Sequence, residues 1–347
     1  MNSKRIVEEV FTKGYSSRIP IQIEANSLEE EYALSDTLGI SVRVSAWQKY
    51  IIEGGPLRRL ENERILDWID RVEKYWEDIV DWPNIDDVVQ DCLNQFLRKF
   101  QEKFRSRFII AKILGPTEIC ESFFITKPIV NTDLEHFSHK FEYALLLKIR
   151  KDLAYRIYDK VSRYVLEIVK SLSELEQIDA LRIADDLADY RGIIYRQDFV
   201  LEVYLKWHEE FSKTIKKRGK FPILHCDGDI TSIIDKLIRM YSGLHPLDIT
   251  KKVTIKDYYH WIEKLKILKD EFMKANTKTV MITGLPVELI FNNDVYIDDF
   301  LHAIKHFIEI LGRDYLLLST THRPYPERSY QEELARRKIM KLREVLK

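Results

Sequence analysis

The sequence predicts an α/β fold, a single (β/α)₈ barrel, and three observations support this prediction. Eight short runs rich in apolar and β-branched residues recur along the 347-residue chain. Longer stretches with helical hydrophobic periodicity separate them. No linker or low-complexity segment divides the chain, so we predict one domain over residues 1–347. Alternating strands and helices form right-handed βα units, and eight of these close into a barrel.

The predicted strands are mostly continuous in hydrophobicity, as expected for parallel strands covered on both faces. The second and sixth runs have the weakest pattern. Six runs instead of eight would favour a doubly wound sheet. In chain order the runs are Ile19–Ile23, Ser41–Ser45, Phe108–Ile113, Ala180–Ala184, Phe221–His225, Gly243–Leu247, Thr279–Thr283 and Tyr315–Ser319.

Amphipathic stretches occupy the intervals between the runs. The interval 48–107 is too long for one βα unit, so we expect extra helices inserted in the N-terminal third, covering one barrel end. Asp86 is the candidate N-cap of one inserted helix. The predicted helices are Glu61–Glu77, Val88–Phe104, Phe141–Leu172, Asp198–Lys217, Ile230–Tyr241, Ile255–Lys274, Ile297–Gly312 and Glu327–Leu346.

Composition and charge exclude several classes of protein. Apolar residues make up 45% of the chain and charged residues 32%, which indicates a folded globular protein. Lys and Arg number 55 against 56 Asp and Glu, so no overall basic field attracts nucleic acid or anionic lipid. No apolar window is long enough for a membrane span. The abundance of Ile, Lys and Glu is typical of thermophilic proteins.

The cysteines and the N-terminus indicate the compartment. Cys92, Cys120 and Cys226 match neither a disulfide framework nor a metal-binding knuckle, which favours a reducing compartment. The first residues are polar and lack the apolar core of a signal peptide. We therefore expect a cytoplasmic protein.

Polar residues directly after a barrel strand are the candidates for an active site, because the βα loops build it. Gly115 and Glu118 follow the third run. Glu118 would stand at the barrel mouth, or would only complement the dipole of the next helix. Asp185 and Asp186 follow the fourth run, and at most one of them faces the barrel axis. Either carboxylate could instead cap a helix.

The densest polar cluster follows the fifth run and reads His225-Cys226-Asp227-Gly228-Asp229. His225 and Asp227 share one face if the strand geometry continues. Gly228 permits a tight turn, and Asp229 can cap the following helix. We expect Cys226 to point the other way and to pack.

Two further histidines follow later runs: His245 after the sixth run, and His322 after the eighth, where it could face His225 across the mouth. His302 and His306 have the i,i+4 spacing of metal ligands, but they lie on the polar side of their helix, so we predict surface residues. The sequence contains no GxGxxG, GxxxxGK[ST] or GxSxG motif. Dinucleotide binding, P-loop chemistry and a hydrolase nucleophile elbow therefore have no support.

These segments, taken in order over essentially the whole chain, resemble the superfamily of uroporphyrinogen decarboxylase and the corrinoid-linked, coenzyme-M-type methyltransferases. Each motif is short, and the resemblance depends on their shared order and spacing. The segments are Asn2–Arg5, Ser17–Ile21, Leu114–Pro116, Ile183–Leu187, Leu224–Ile230, His245–Asp248, Gly284–Pro286, Leu318–His322 and Pro326–Glu327.

The decarboxylase branch of the superfamily carries two arginines in an early segment that bind substrate carboxylates. The corresponding residues here, 22–27, contain no arginine and include Glu24. The tyrosine and serine of that branch fall near Ser122 and Asp186, and only the late histidine is kept, as His322. The resemblance therefore implies an altered substrate clamp if this chain is a decarboxylase.

The methyltransferase branch binds zinc through a His-x-Cys pair and a late cysteine. The same positions here hold His225, Asp227 and His322. This set can still ligate zinc, with Glu118 or a substrate atom as the fourth group. This set of ligands is chemically harder than the histidine and two cysteines of the methyltransferase branch, so it suits an oxygen substrate or an activated water. The alternative is a hydrogen-bonded trio without metal.

The resemblance supports three hypotheses. The first is a methyltransferase-type enzyme acting on a methylated small molecule or thiol acceptor, with a corrinoid-carrying protein as partner. In it Glu118 and Asp186 assist His225, Asp227 and His322 in catalysis. The second is a porphyrinogen decarboxylase without metal or cofactor, and the third is a non-catalytic small-molecule-binding barrel. A homodimer is expected by resemblance. Residues expected to contact the substrate are Asp185, Gly228, His245, Gly115 and Glu24.

Overall fold

The computed structural model describes residues 3–126, 141–252 and 254–346. Eight parallel strands form one sheet in the order β1-β10-β9-β8-β7-β4-β3-β2, and β5 pairs with β6 in a separate antiparallel hairpin. The strands are β1 Ile21–Gln22, β2 Thr37–Ser41, β3 Phe108–Leu114, β4 Ala180–Ala184, β5 Ala188–Asp189, β6 Gly192–Ile193, β7 Phe221–Cys226, β8 Gly243–Pro246, β9 Val280–Leu285 and β10 Leu316–Thr320.

The sheet closes almost completely between its two outer strands. The Asp36 backbone N–H donates to the carbonyl oxygen of Ile21 at 2.7 Å. The Ser35 hydroxyl donates to the same oxygen at 3.2 Å. Together with the surrounding helices, this arrangement confirms the predicted (β/α)₈ barrel.

Helices surround the barrel. The helices that precede β3 include the extra ones predicted for the N-terminal third. No helix among the described residues is both long and apolar enough to cross a membrane. The α-helices are α1 Ser3–Lys13, α2 Leu28–Leu34, α3 Ser45–Glu53, α4 Ile65–Ile79, α5 Ile85–Lys99, α6 Pro116–Phe124, α7 Phe141–Ile149, α8 Lys151–Ser173, α9 Gln197–Phe199, α10 Leu205–Lys217, α11 Ile234–Met240, α12 Ile255–Lys274, α13 Val287–Phe291, α14 Ile297–Leu311 and α15 Glu333–Val345.

Several predicted bounds were wrong: the predicted helix Phe141–Leu172 is two helices, α7 and α8, and two further cases have a local physical reason. The second strand is Thr37–Ser41, and Ser45 already begins α3. The strand was not predicted because Gly39 interrupts its apolar pattern. The Lys112 side chain occupies the space that a Cβ on Gly39 would need. The N-cap of α5 is Asn84, whose Oδ1 accepts from the backbone N–H of Asp86 at 2.8 Å, so the helix begins before Asp86.

The barrel interior is apolar near the N-terminal ends of the strands, which we call the lower half, and α1 closes this end. Phe11 of α1 lies 5.4 Å from the Phe108 ring and 4.9 Å from the Phe221 ring, measured between centroids. Because side chains alternate along a strand, the next inward position of each strand lies one layer higher. That layer is where the polar groups lie. The lower layer consists of Phe108, Ile110, Ala180, Ile223, Val280, Ile282 and Leu317.

Candidate active site

The upper layer of the barrel interior contains four basic side chains: Lys112 of β3, Arg182 of β4, His225 of β7 and His245 of β8. Glu24, just after β1, forms an ion pair with Arg182, and its Oε1 lies 3.2 Å from Lys112 Nζ. Burial alone would raise the pKa of Glu24, but Arg182, Lys112 and His245 outweigh it and hold the pKa well below its usual range. The predicted substrate residue Glu24 therefore lies in a buried ion-pair network.

His245 and His225 form a hydrogen-bonded chain that determines where their protons lie. His245 Nε2 lies 3.0 Å from the carbonyl oxygen of Thr320, which can only accept, so Nε2 carries the hydrogen. The two Nδ1 atoms are 2.7 Å apart, with Arg182 Nη1 at 3.4 Å from His245 Nδ1. In a neutral His245, Nδ1 accepts, so His225 donates from Nδ1. His225 Nε2 is then left with a lone pair.

Both imidazoles are held neutral. Burial lowers the pKa of His225 to about 4, with Arg182 acting in the same direction and Asp227 against it. Burial, Arg182 and His225 hold the pKa of His245 well below its usual range. His245, predicted to contact substrate, is completely buried behind His225. Its position suits the orientation of His225 more than contact with a ligand.

Asp227 lies between His225 and His322, as its place after β7 predicted. Its Oδ1 is 3.7 Å from His225 Nε2, and its Oδ2 is 3.8 Å from His322 Nδ1. Its backbone N–H donates to Asp186 Oδ1 at 3.0 Å. The structure thus places Asp186 at the mouth, next to the cluster of His225, Asp227 and His322.

His322 is oriented by a buried ion pair that the sequence did not reveal. His322 Nε2 lies 3.3 Å from Asp248 Oδ2, and the other oxygen of Asp248 pairs with Lys252. Asp248 and Lys252 are both buried. Because a carboxylate accepts, His322 Nε2 carries a hydrogen, and its Nδ1 faces Asp227. Burial lowers the pKa of Lys252 to about 8.

Two sets of side chains among the described residues bring potential metal-ligating atoms within 4.8 Å of one another. One set is Asp186, His225 and Asp227, and the other is Asp227, Asp248 and His322. The predicted trio of His225, Asp227 and His322 is not one of these sets, and the ring centroids of the two histidines are 6.3 Å apart. Asp227 links the two sets.

Asp185 lies away from the mouth, inside the barrel wall. It is fully buried, and its Oδ1 accepts from the backbone N–H groups of Thr117 at 2.7 Å and Glu118 at 3.1 Å. Its Oδ2 lies 2.8 Å from His208 Nε2. Burial raises the pKa of Asp185, and His208 opposes this. These bonds match the alternative in which an aspartate caps a helix, here α6.

Gly115 and Glu118 flank this cap. A Cβ on Gly115 would lie 2.3 Å from the Cβ of Asp185, so the glycine permits close approach of the two loops. Glu118 is half-buried in the first turn of α6 and lies near Arg43, where it offsets part of the lowering of the Arg43 pKa that burial and Arg323 cause. Glu118 therefore lies close to Arg43, whereas Gly115 has a packing role.

Gly228 has a backbone role. Its φ is +84°, and a Cβ there would lie 2.5 Å from backbone atoms of Ala188. Gly219 has φ +71°, but a Cβ there would meet open space.

We expect Gly219→Ala to lower the free energy of unfolding by about 1 kcal/mol, because alanine is strained in the left-handed backbone region. Gly228→Ala should cost about 1–3 kcal/mol more, because the chain must also move. Urea denaturation of both variants measures the difference, and equal losses would contradict this account.

Four charged residues near the site were not predicted from the sequence: Lys112, Arg182, Asp248 and Lys252. Alternation could have identified the first two, because each lies two residues after an apolar inward position, Ile110 or Ala180. Asp248 and Lys252 are spaced i,i+4 in a loop rather than a helix, and only the fold pairs them. His302 is exposed, and His306 lies 5.2 Å from the Tyr259 ring.

Comparison with known proteins supports the fold. A scan against protein-family models finds no match, and a search of curated proteins finds none either. Among solved structures, the chain is similar to a methyltransferase from Methanosarcina mazei, with a TM-score of 0.60 and 11% sequence identity. The similarity covers 99% of each chain. At this identity the likeness shows a shared barrel fold.

Proposed function

We propose that this chain is a methyltransferase-type enzyme of the uroporphyrinogen decarboxylase superfamily, in which His225 and His322 close on Asp227 to hold a zinc ion. Its substrate would be a small methylated molecule or a thiol acceptor. The fold shared with a methyltransferase and the resemblance of the strand-end segments support this proposal.

One observation carries the proposal: two imidazole nitrogens and a carboxylate converge at the mouth. His225 Nε2 lies 3.7 Å from Asp227 Oδ1, and His322 Nδ1 lies 3.8 Å from Asp227 Oδ2. A metal cation between these atoms would be attracted by the carboxylate charge and coordinated by both nitrogens. Each histidine also donates its other N–H to a buried acceptor, which is typical of metal-ligating histidines.

The ligand types suit zinc. Imidazole nitrogens and a carboxylate oxygen are common zinc ligands, and a catalytic site leaves one position for substrate or water. When bound, zinc would lower the pKa of a coordinated thiol or water. Asp186 and Glu118 can then accept a proton at the mouth, and the apolar lower layer excludes water from below.

Metal analysis tests the proposal directly. We expect about one zinc per chain after incubation with zinc and gel filtration, and none in a His225→Ala, His322→Ala double variant. The matched control is His302→Ala, His306→Ala, which removes two histidines of the outer helix α14 and should keep the zinc. Absence of zinc from the unmodified protein, or retention of zinc by the first variant, would refute the metal site.

A second assay tests the reaction type. Methylcobalamin and a small thiol would be incubated with the zinc-loaded protein, because the methyl donor of this branch is a corrinoid, and its spectrum reports demethylation. We expect turnover that the His225→Ala, His322→Ala variant lacks. A zinc-loaded protein that fails with methylcobalamin over a panel of thiols and alcohols would count against methyl transfer while leaving the metal site intact.

A further inference from the structure

Three cations gather around the end of β2, on the rim of the mouth. Arg323 Nη2 donates to the Ser41 hydroxyl at 3.0 Å, and Lys99 Nζ donates to the Ser41 carbonyl oxygen at 2.6 Å. Arg43 follows two residues after Ser41. Three elements that are distant in sequence, the loop after β2, the end of α5 and the loop after β10, therefore bring positive charge to one place.

Arg43 is the unusual member of this group. Its backbone is held by Gln95, which accepts from the Arg43 N–H at 3.0 Å and donates to the Arg43 carbonyl oxygen at 2.8 Å. Its guanidinium is partly buried, yet within the described part of the chain it makes no hydrogen bond or ion pair. Burial and the nearby Arg323 and Arg182 lower the pKa of Arg43, and Glu118 only partly compensates.

Such a group is unfavourable without a ligand. Like charges at short range repel, and a partly buried guanidinium loses hydration without gaining a partner. The carboxylate of Glu24 is already paired with Arg182, so it does not relieve this repulsion. An oxyanion would relieve it, because the planar fork of arginine matches carboxylate, phosphate and sulfonate groups.

We propose that Arg43, Arg323 and Lys99 bind an oxyanion group of a small substrate whose reactive end reaches His225, Asp227 and His322. His322 and Arg323 are consecutive residues of one loop, so the two ends of the site adjoin. The substrate class is thus a small anionic molecule with a carboxylate, phosphate or sulfonate at one end. The role as a substrate subsite rests on the proposed function, whereas oxyanion binding does not.

Calorimetry on protein stripped of metal with a chelator tests this site separately from the zinc site. Inorganic phosphate, acetate and methanesulfonate would be titrated at constant ionic strength. We expect saturable binding of at least one, weakened roughly ten- to hundredfold in Arg43→Gln, because one charged hydrogen-bonding partner is lost. Arg323→Gln, at an exposed position, should weaken the same anion and remains informative if Arg43→Gln does not fold.

The matched control is Arg313→Gln, which removes an exposed arginine from the loop before β10, at the opposite barrel end. It should bind the anion as the unmodified protein does. The anion bound most tightly identifies the terminal group of the substrate. The proposal is overturned if none of the three anions binds, if both mouth variants bind normally, or if Arg313→Gln weakens binding equally. None of these results depends on whether zinc is present.

Discussion

Replacing Arg182 with leucine is expected to lower the free energy of unfolding by about 3–5 kcal/mol at neutral pH, because a buried ion pair loses one partner. Arg182 and Glu24 are both buried, and the pair lies in the upper layer of the barrel interior. Lys112, 3.2 Å from Glu24, remains as a partner, so the barrel should still fold. Urea denaturation at pH 7 measures the loss.

The same variant has an expected pH dependence. The folded-state pKa of Glu24 lies well below the ordinary value of 4.5, so its charge stabilises the fold fully above about that pH and less as pH falls below it. Without Arg182 much of this contribution is missing at every pH. The difference in stability between Arg182→Leu and the unmodified protein should therefore shrink on going from pH 7 to below 4.5.

A double-variant cycle provides the control. Glu24→Gln with Arg182→Leu removes both charges, so its cost should be smaller than the sum of the two single variants. Strict additivity of the two changes, or a loss that does not change with pH, would show that Arg182 contributes packing rather than charge.

Replacing His245 with phenylalanine is expected to weaken zinc binding about 10- to 100-fold, the cost of losing a hydrogen-bonded neighbour of a metal ligand. His245 is the acceptor for His225 Nδ1, at 2.7 Å, and so keeps the lone pair of His225 Nε2 towards Asp227. Phenylalanine fills the space but cannot accept. The affinity would be measured by competition with a chromophoric zinc chelator.

His245→Asn is the conservative comparison, because its side-chain oxygen can take the place of Nδ1 as acceptor. It should bind zinc more tightly than His245→Phe does. Nitrogen-15 NMR of the His225 ring gives a second readout, since the protonated and bare nitrogens of a neutral imidazole have distinct shifts. If both variants bind zinc equally and the His225 ring keeps its tautomer, His245 does not orient His225.

Sequence patterns located most of the barrel. Ala180–Ala184 and Ile255–Lys274 were predicted with the bounds that the structure shows. The prediction was wrong for β2, where Gly39 interrupts the apolar pattern to admit Lys112. The N-cap of α5 was placed at Asp86 instead of Asn84, because several cap-forming residues are adjacent there and only backbone geometry selects one.

The candidate site was predictable where it depends on strand ends. His225, Asp227, His322 and Asp186 meet at the mouth because parallel strands bring their carboxyl ends to one face. Asp185 could not be distinguished from its neighbour Asp186, since adjacent residues point to opposite sides and the sequence does not say which faces inward. The structure turns Asp185 into the wall, where it caps α6.

The sequence by itself determined the barrel and the strand-end residues, because hydrophobic periodicity and strand order are local properties of the chain. Only the tertiary structure decided which charges neutralise each other. Glu24 pairs with Arg182 across 158 residues, and Arg43 comes near Arg323 from the opposite end of the chain. Closure of the barrel brings together partners at such separations. The charges of Glu24 and Arg182 interact strongly there because burial removes the screening of water.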